Sequence, residues 1–157
     1  MSQNKKPTTA SSKLHRAQMA ARYREAAAND WGPRHRIMIV QDDFLLRMET
    51  ASDLRGWGYD VVEAFNEAEA HRALHADPRI ALVLLDVHVE GTRHGLELAR
   101  WIRDHHPKTK VLLAAAVAPE ADGIAILDKP YRPLALLQYI DALLKAQDSD
   151  QSRGEQR

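Results

Sequence analysis

The feature that most constrains this chain is a set of five apolar runs, each of four to eight residues. They are IMIV (37–40), YDVVEA (59–64), IALVLL (80–85), KVLLAAAV (110–117) and IAIL (124–127). Short, nearly continuous apolar runs suit strands covered on both faces. Segments with helical spacing separate most of them. FLLRMETASDLRGWG brings Leu45, Met48, Ala51 and Leu54 near one face and stops at Gly58. NEAEAHRALHADP (66–78) is opened by Asn66 and closed before Pro78. GLELARWIRDHHP (95–107) carries Leu98 and Ile102, with Leu96 and Trp101 alongside. RPLALLQYIDALLKAQ (132–147) carries Leu136, Leu137, Ile140, Leu143 and Leu144, flanked by Leu134 and Tyr139. Such alternation predicts an α/β fold: a doubly wound, five-stranded parallel sheet with helices on both faces. The 157 residues suffice for one such domain with tails.

In open parallel sheets, functional residues gather in the crevice at the carboxyl ends of the strands. Here that edge collects Gln41, Asp42 and Asp43 after the first strand and Asp86 at the end of the third. Ala114–Ala116 end the fourth strand, and Lys129 follows the fifth. Asp86 comes straight after Val83, Leu84 and Leu85, and a buried carboxylate needs a partner, a metal or a chemical role. An aspartate that merely hydrogen-bonds the next turn would also fit there. Convergence with Asp42 and Lys129 favours chemistry.

Carboxylates without histidine or cysteine ligands suit a hard cation, Mg2+, and a lysine adds a point charge for an anion. Together they form a phosphoryl-transfer site, with Asp86 as nucleophile, Asp42 on the metal and Lys129 on a phosphoryl oxygen. No GxxxxGK[ST] loop occurs, so neither nucleotide nor flavin binding has support. His88 and His94 flank the site and His105 and His106 end a helix. None has metal-ligand spacing with another ligand, and no side-chain chemistry falls to them.

The stretches RIMIVQDDFLLR (36–47), LVLLDVHVEG (82–91) and LDKPYRP (127–133), with GLELARWIR between them, resemble the receiver domains of two-component response regulators. The resemblance covers residues 34–146. It implies a flavodoxin-like fold with strand order 2-1-3-4-5. It also implies that Asp86 accepts phosphate from the phosphohistidine of a sensor histidine kinase, with Mg2+ as cofactor. The implied metal ligands are Asp42, Asp86 and the backbone carbonyl of His88, with Gln41 orienting a metal-bound water. A cis peptide between Lys129 and Pro130 is implied as well. Such a protein is a signalling phosphoacceptor, catalysing only its own phosphorylation and dephosphorylation, and not an enzyme acting on other substrates.

The chain departs from that family at four main places and, to a smaller degree, at a fifth. Gln41 stands where the family usually has an acid, which removes a negative charge and weakens Mg2+ binding. Asp43, as the next residue, points elsewhere. Ala114 replaces the serine or threonine that hydrogen-bonds the phosphoryl group. Ile126 replaces the aromatic switch residue. APEADG (118–123) leaves room for about one helical turn, so the family's fourth helix is cut down or missing. Glu90 stands where proline is common, and GTRHG lengthens the following loop by one residue. The acceptor chemistry is therefore largely intact, while the switch positions Ala114 and Ile126 are eroded.

Residues 1–33 carry six basic against two acidic side chains, a net of +4, and 13–28 are strong helix formers. They read as a basic, partly helical extension, followed by a receiver domain over 34–147 and a polar tail over 148–157. Neither end leaves room for a DNA-binding domain. Without cysteine, a secretion signal or a run of about 20 apolar residues, the expectation is a cytoplasmic protein with no membrane partner. Expected partners are the sensor histidine kinase and a downstream target or phosphotransfer protein. A homodimer through the wide apolar arc of the final helix is also expected. The alternative is a pseudo-receiver, an interaction or dimerisation module independent of phosphate. Retention of Asp86 and Lys129 favours the first reading; Gln41, Ala114 and Ile126 favour the second.

Overall fold

The computed structural model describes residues 35–88 and 95–154, with isolated helical positions at 14, 17, 18 and 21; side chains are described as far as Ser149. The rest of the basic extension, together with Glu90 and His94, lies outside the described residues. In chain order the elements are β1 (Arg36–Val40), α1 (Phe44–Gly56), β2 (Asp60–Ala64), α2 (Glu67–Ala76) and β3 (Ile80–Asp86). There follow α3 (Gly95–His105), β4 (Lys110–Ala115), β5 (Ala125–Asp128) and α4 (Pro133–Gly154). The strands form one parallel sheet in the order β2-β1-β3-β4-β5, as the sequence pattern and the resemblance predict.

Alternate residues of each strand feed two apolar layers. Met38, Val40, Val83, Leu85, Val111 and Leu113 pack against Ala70 and Leu74 of α2 and Leu98 and Ile102 of α3. Ile37, Ile39, Leu82, Leu84 and Leu112 pack against Ala51 and Leu54 of α1 and Leu136, Leu137 and Ile140 of α4. Each fully buried aliphatic side chain contributes about 1.5–3 kcal/mol. Asp43 and Asn66 cap α1 and α2, accepting the backbone N–H groups of Leu46 and Glu69. Between α2 and α3, the Trp101 ring meets His71 edge-on at 4.0 Å and stacks on His105 at 4.8 Å, with His106 tilted at 5.3 Å. At the opposite end of the sheet from the carboxyl edge, Arg36 bridges Asp60 and Asp77, and Arg79 also pairs with Asp77.

Three expectations change on this fold. The α1 stripe is buried only at Ala51 and Leu54, whereas Leu45 is 65% and Met48 48% exposed. Among the described residues the first turns of α1 are exposed, at Phe44, Leu45, Leu46 and Met48. The final helix continues to Gly154, seven residues past the end of its apolar pattern at 147, so the polar segment from 148 begins as helix. Where the extension begins, Gln147 Nε2 donates to the Lys108 carbonyl at 2.6 Å, and Asp148 lies 3.7 Å from His35. The α4 stripe is not uncovered either. Leu136, Leu137, Ile140 and Leu144 are buried, which leaves Leu134 and Tyr139 as its exposed large apolar residues.

Residues 116–124, which join β4 to β5, contain no helix. Parallel strands ordinarily need a crossover of a dozen or more residues. Here a turn through Asp122 and Gly123, both at positive φ, makes the connection. Arg100 and Arg103 of α3 hold it by donating to the Glu120 and Asp122 carbonyls, and Arg100 also pairs with the Asp122 carboxylate at 2.8 Å. Ala121, Ile124 and Ile126 join the core layer where the helix would have packed.

Candidate functional site

The sheet register brings the candidate residues together. Val40 pairs with Leu85, so Gln41 and Asp86 leave adjacent strands side by side. Asp86 itself pairs with Ala114, and Val87 N–H donates to the Ala114 carbonyl at 3.0 Å. Lys129 N–H donates to the Ala115 carbonyl at 2.9 Å, which brings the lysine over the same edge. The Lys129–Pro130 peptide is cis.

Asp86 is only 7% exposed, and three donors hold its carboxylate. Gln41 Nε2 donates to Oδ2 at 2.8 Å and His88 N–H donates to Oδ1 at 2.8 Å. Lys129 Nζ forms an ion pair with Oδ2. A buried carboxylate without such partners would be strongly disfavoured; charge-assisted hydrogen bonds offset its desolvation. Sequence reasoning groups Asp86, Gln41 and Lys129, and the structure joins all three.

The neighbouring acids differ from each other. Asp42 is exposed and makes no hydrogen bond or ion pair among the described residues. Asp43 faces away, its Oδ1 capping α1 through Leu46 N–H at 2.9 Å. The Asp43 backbone N–H instead donates to Gln41 Oε1 at 3.0 Å, so the Gln41 oxygen turns from the crevice. Toward Asp86 the Gln41 side chain presents its amide N–H and not its oxygen.

Ala114 is buried beside Asp86 and offers no hydroxyl; Ile126 sits half-buried against the α2–α3 layer. Two residues gain positions that the sequence does not announce. Arg47 donates from Nη1 to the Gln41 carbonyl at 2.7 Å, bracing the β1–α1 turn. Tyr131 lines a small void with Gln41, Thr50, Asp86 and Ala114. Burial pushes the Tyr131 phenol above its ordinary range, and the Asp86 charge acts in the same direction. Its one sequence signal is an aromatic directly after the Lys-Pro that follows β5. Beside Lys129 a cleft of about 650 Å³ opens between α1 and the start of α4, lined in part by Glu49, Thr50, Ala116 and Tyr131.

No group of three or more His, Cys, Asp and Glu side chains is arranged for a metal among the described residues. The donor set is two carboxylates, Asp42 and Asp86, plus backbone carbonyls. That set fits Mg2+, which uses one or two carboxylates and completes its shell with water and phosphate oxygens. It fits weakly, because Lys129 already offsets one of the two charges.

The response regulator receiver domain profile matches residues 37–141. Two curated relatives are each 30% identical. One is the transcriptional regulatory protein GltR of Pseudomonas aeruginosa, aligned over 75% of this chain and 52% of its own length. The chain thus spans about half of that relative. The other is the response regulator receiver protein CpdR of Brucella abortus, over 71% of this chain and 98% of the relative. Among solved structures, a CheY-like response regulator receiver domain protein from Methanospirillum hungatei superposes with a TM-score of 0.69 at 25% identity, covering 75% of this chain and 99% of that one.

Proposed function

The chain belongs to the response regulator receiver domain family of two-component signalling, and from that premise we propose that Asp86 accepts a phosphoryl group from the phosphohistidine of a sensor histidine kinase. The observation that carries the reading is the meeting of the Asp86 carboxylate and Lys129 Nζ at the carboxyl edge of the sheet. In the transfer, a carboxylate oxygen of Asp86 attacks phosphorus, the phosphorus–nitrogen bond breaks, and the electron pair returns to the imidazole. The product is an acyl phosphate on Asp86. Lys129 moves its charge from the carboxylate to a phosphoryl oxygen, where it stabilises the incoming anion. His88 N–H keeps Oδ1 oriented. When bound, Mg2+ supplies further neutralisation of the phosphoryl oxygens; Asp42, Asp86 and the His88 carbonyl are the groups that would hold it.

Phe44, Leu45 and Met48 support a kinase partner, because they expose apolar surface on α1 beside the acceptor. With Ala114 and Ile126 at the switch positions, the output does not follow the usual hydroxyl–aromatic coupling. It passes instead to a downstream target or phosphotransfer protein. Leu134 and Tyr139 are the exposed apolar residues of α4 that a homodimer would use. No helix among the described residues is long and apolar enough to cross a membrane, and the proposed kinase partnership sets the protein in the cytoplasm.

The Gln41 amide on Asp86 favours one second reading, a receiver that binds partners without phosphorylation. The deciding experiment is phosphorylation by a small-molecule donor with and without Mg2+, read by intact mass, alongside Asp86→Asn. A Mg2+-dependent gain of one phosphoryl group, lost in the variant, supports the acceptor. No gain from the donor or from the cognate kinase leaves the binding module.

A further inference from the structure

Gln41 is held from both sides. Asp43 N–H donates to its Oε1 at 3.0 Å, and its Nε2 donates to Asp86 Oδ2 at 2.8 Å. A backbone N–H only donates and a carboxylate only accepts, so the amide has one orientation that satisfies both. Arg47 fixes the same residue through its carbonyl at 2.7 Å. The side chain is 8% exposed, so water does not compete freely for these bonds. Asp86 therefore carries Gln41 and Lys129 on Oδ2 and His88 N–H on Oδ1. A carboxylate has about four lone-pair sites, and three are taken.

We infer that the Gln41 amide is a latch on the Asp86 carboxylate: together with Lys129 it fills both lone pairs of Oδ2, so a divalent cation gains that oxygen only when the amide lets go. This inference rests on the reading of Asp86 and Asp42 as the cation-binding pair. It differs from a simple loss of charge. A glutamine in place of an acid lowers cation affinity through one missing charge, whereas a latch lowers it further by occupying Asp86.

Two variants separate these effects. Gln41→Met keeps the length of the side chain but has neither donor nor charge. Gln41→Glu removes the donor and adds the charge. The probe is Mg2+ alone, titrated into the full chain without phosphoryl donor, with backbone and Gln41 side-chain amide signals followed by NMR and Mn2+ broadening as the second readout. The latch predicts that Gln41→Met binds Mg2+ about tenfold more tightly than the unsubstituted chain, a change of ~1.4 kcal/mol. Gln41→Glu binds more tightly again. In the unsubstituted chain, the Gln41 NH2 signals shift as Mg2+ saturates. Equal affinity of Gln41→Met and the unsubstituted chain, with only Gln41→Glu improved, overturns the latch in favour of charge alone. Gln41 NH2 signals that stay fixed while Asp42 and His88 saturate overturn it too, and this arm needs no folded variant. Failure of all three proteins to bind Mg2+ overturns the latch and the metal in the proposed function together. Phosphoryl acceptance by Asp86 is judged separately, by mass.

Discussion

Gly95 packs against the backbone of Asp86 so closely that a Cβ at position 95 would lie far inside contact distance of the Asp86 carbonyl oxygen, and 3.0 Å from Val87 Cα. Its N–H donates to the Val87 carbonyl at 2.6 Å. The start of α3 is thereby seated on the turn that presents the candidate acceptor.

The obstructing atoms are backbone, which has little room to yield. Gly95→Ala is therefore expected to destabilise the fold by about 1–3 kcal/mol, as overpacking does, and to shift the Asp86–His88 turn. Thermal melting checks the first effect. Amide shifts of Val87 and His88 check the second. A variant with unchanged melting and unchanged shifts would contradict the close contact.

The exposed residues of α1 are predicted to serve docking and to be dispensable for folding. Leu45→Ser with Met48→Ser should change unfolding free energy by no more than about 0.5 kcal/mol per site, as surface substitutions usually do. Phosphotransfer from the kinase should fall on the order of tenfold, for roughly 1.4 kcal/mol of lost contact. Phosphorylation by a small-molecule donor should stay unchanged. Equal losses with both donors would place the defect in the crevice and not in docking.

Lys129→Met leaves the Asp86 carboxylate buried with only the Gln41 and His88 donors. An unpaired buried charge costs more than a removed pair. The single variant should lose on the order of 1–3 kcal/mol, and adding Asp86→Asn should recover part of that loss. A double-mutant cycle by denaturant unfolding measures the coupling. Strict additivity would mean that the two groups do not interact in solution.

Acid should weaken the fold in two windows. Burial holds the His106 imidazole below its ordinary 6.5, and His105, His71 and His75 add repulsion around Trp101; Glu67 faces His71 at 3.3 Å and moderates it. Arg79, by side chain and backbone, and Arg36 hold the Asp77 carboxyl well below its ordinary 3.8. In both cases the unfolded chain takes up protons more readily, so stability rises with pH across each window. The His106 contribution is complete above pH 6.5 and is lost as pH falls through its lowered value. The Asp77 contribution is complete above 3.8 and is lost below it. Chemical unfolding from pH 8 to 3 tests this: His106→Gln should flatten the upper window and Arg36→Gln should reduce the lower one. Profiles identical to the unsubstituted chain would refute these assignments.

Much of the architecture was legible in the sequence. Short apolar runs bounded by turn residues specify the central parallel strands, because strands buried on both faces dispense with polar alternation; YDVVEA, at the sheet edge, keeps that alternation. The carboxyl-edge rule then gathered Asp86, Gln41 and Lys129 without any coordinates. The missing crossover helix was legible from the length of APEADG set against the resembling family's full helix. The exposure of Leu45 and Met48 was not legible, since helical spacing identifies a face but not how much of it the sheet covers. Helix α4 outran its apolar pattern, and at the point where it does so Gln147 donates to the Lys108 carbonyl, a partner remote in the chain.

The sequence by itself determined the alternation of strands and helices and the residues that meet at the carboxyl edge, which are consequences of side-chain chemistry and period and so are local. The strand order, and the acid and hydroxyl missing from that edge, came from the resemblance to receiver domains. Only the tertiary structure decided what Gln41 does with its amide. A glutamine offers both a donor and an acceptor, and the sequence cannot say which faces Asp86. The Asp43 N–H on one side and the Asp86 carboxylate on the other fix that choice, and both are positioned by the packing of β1 against β3.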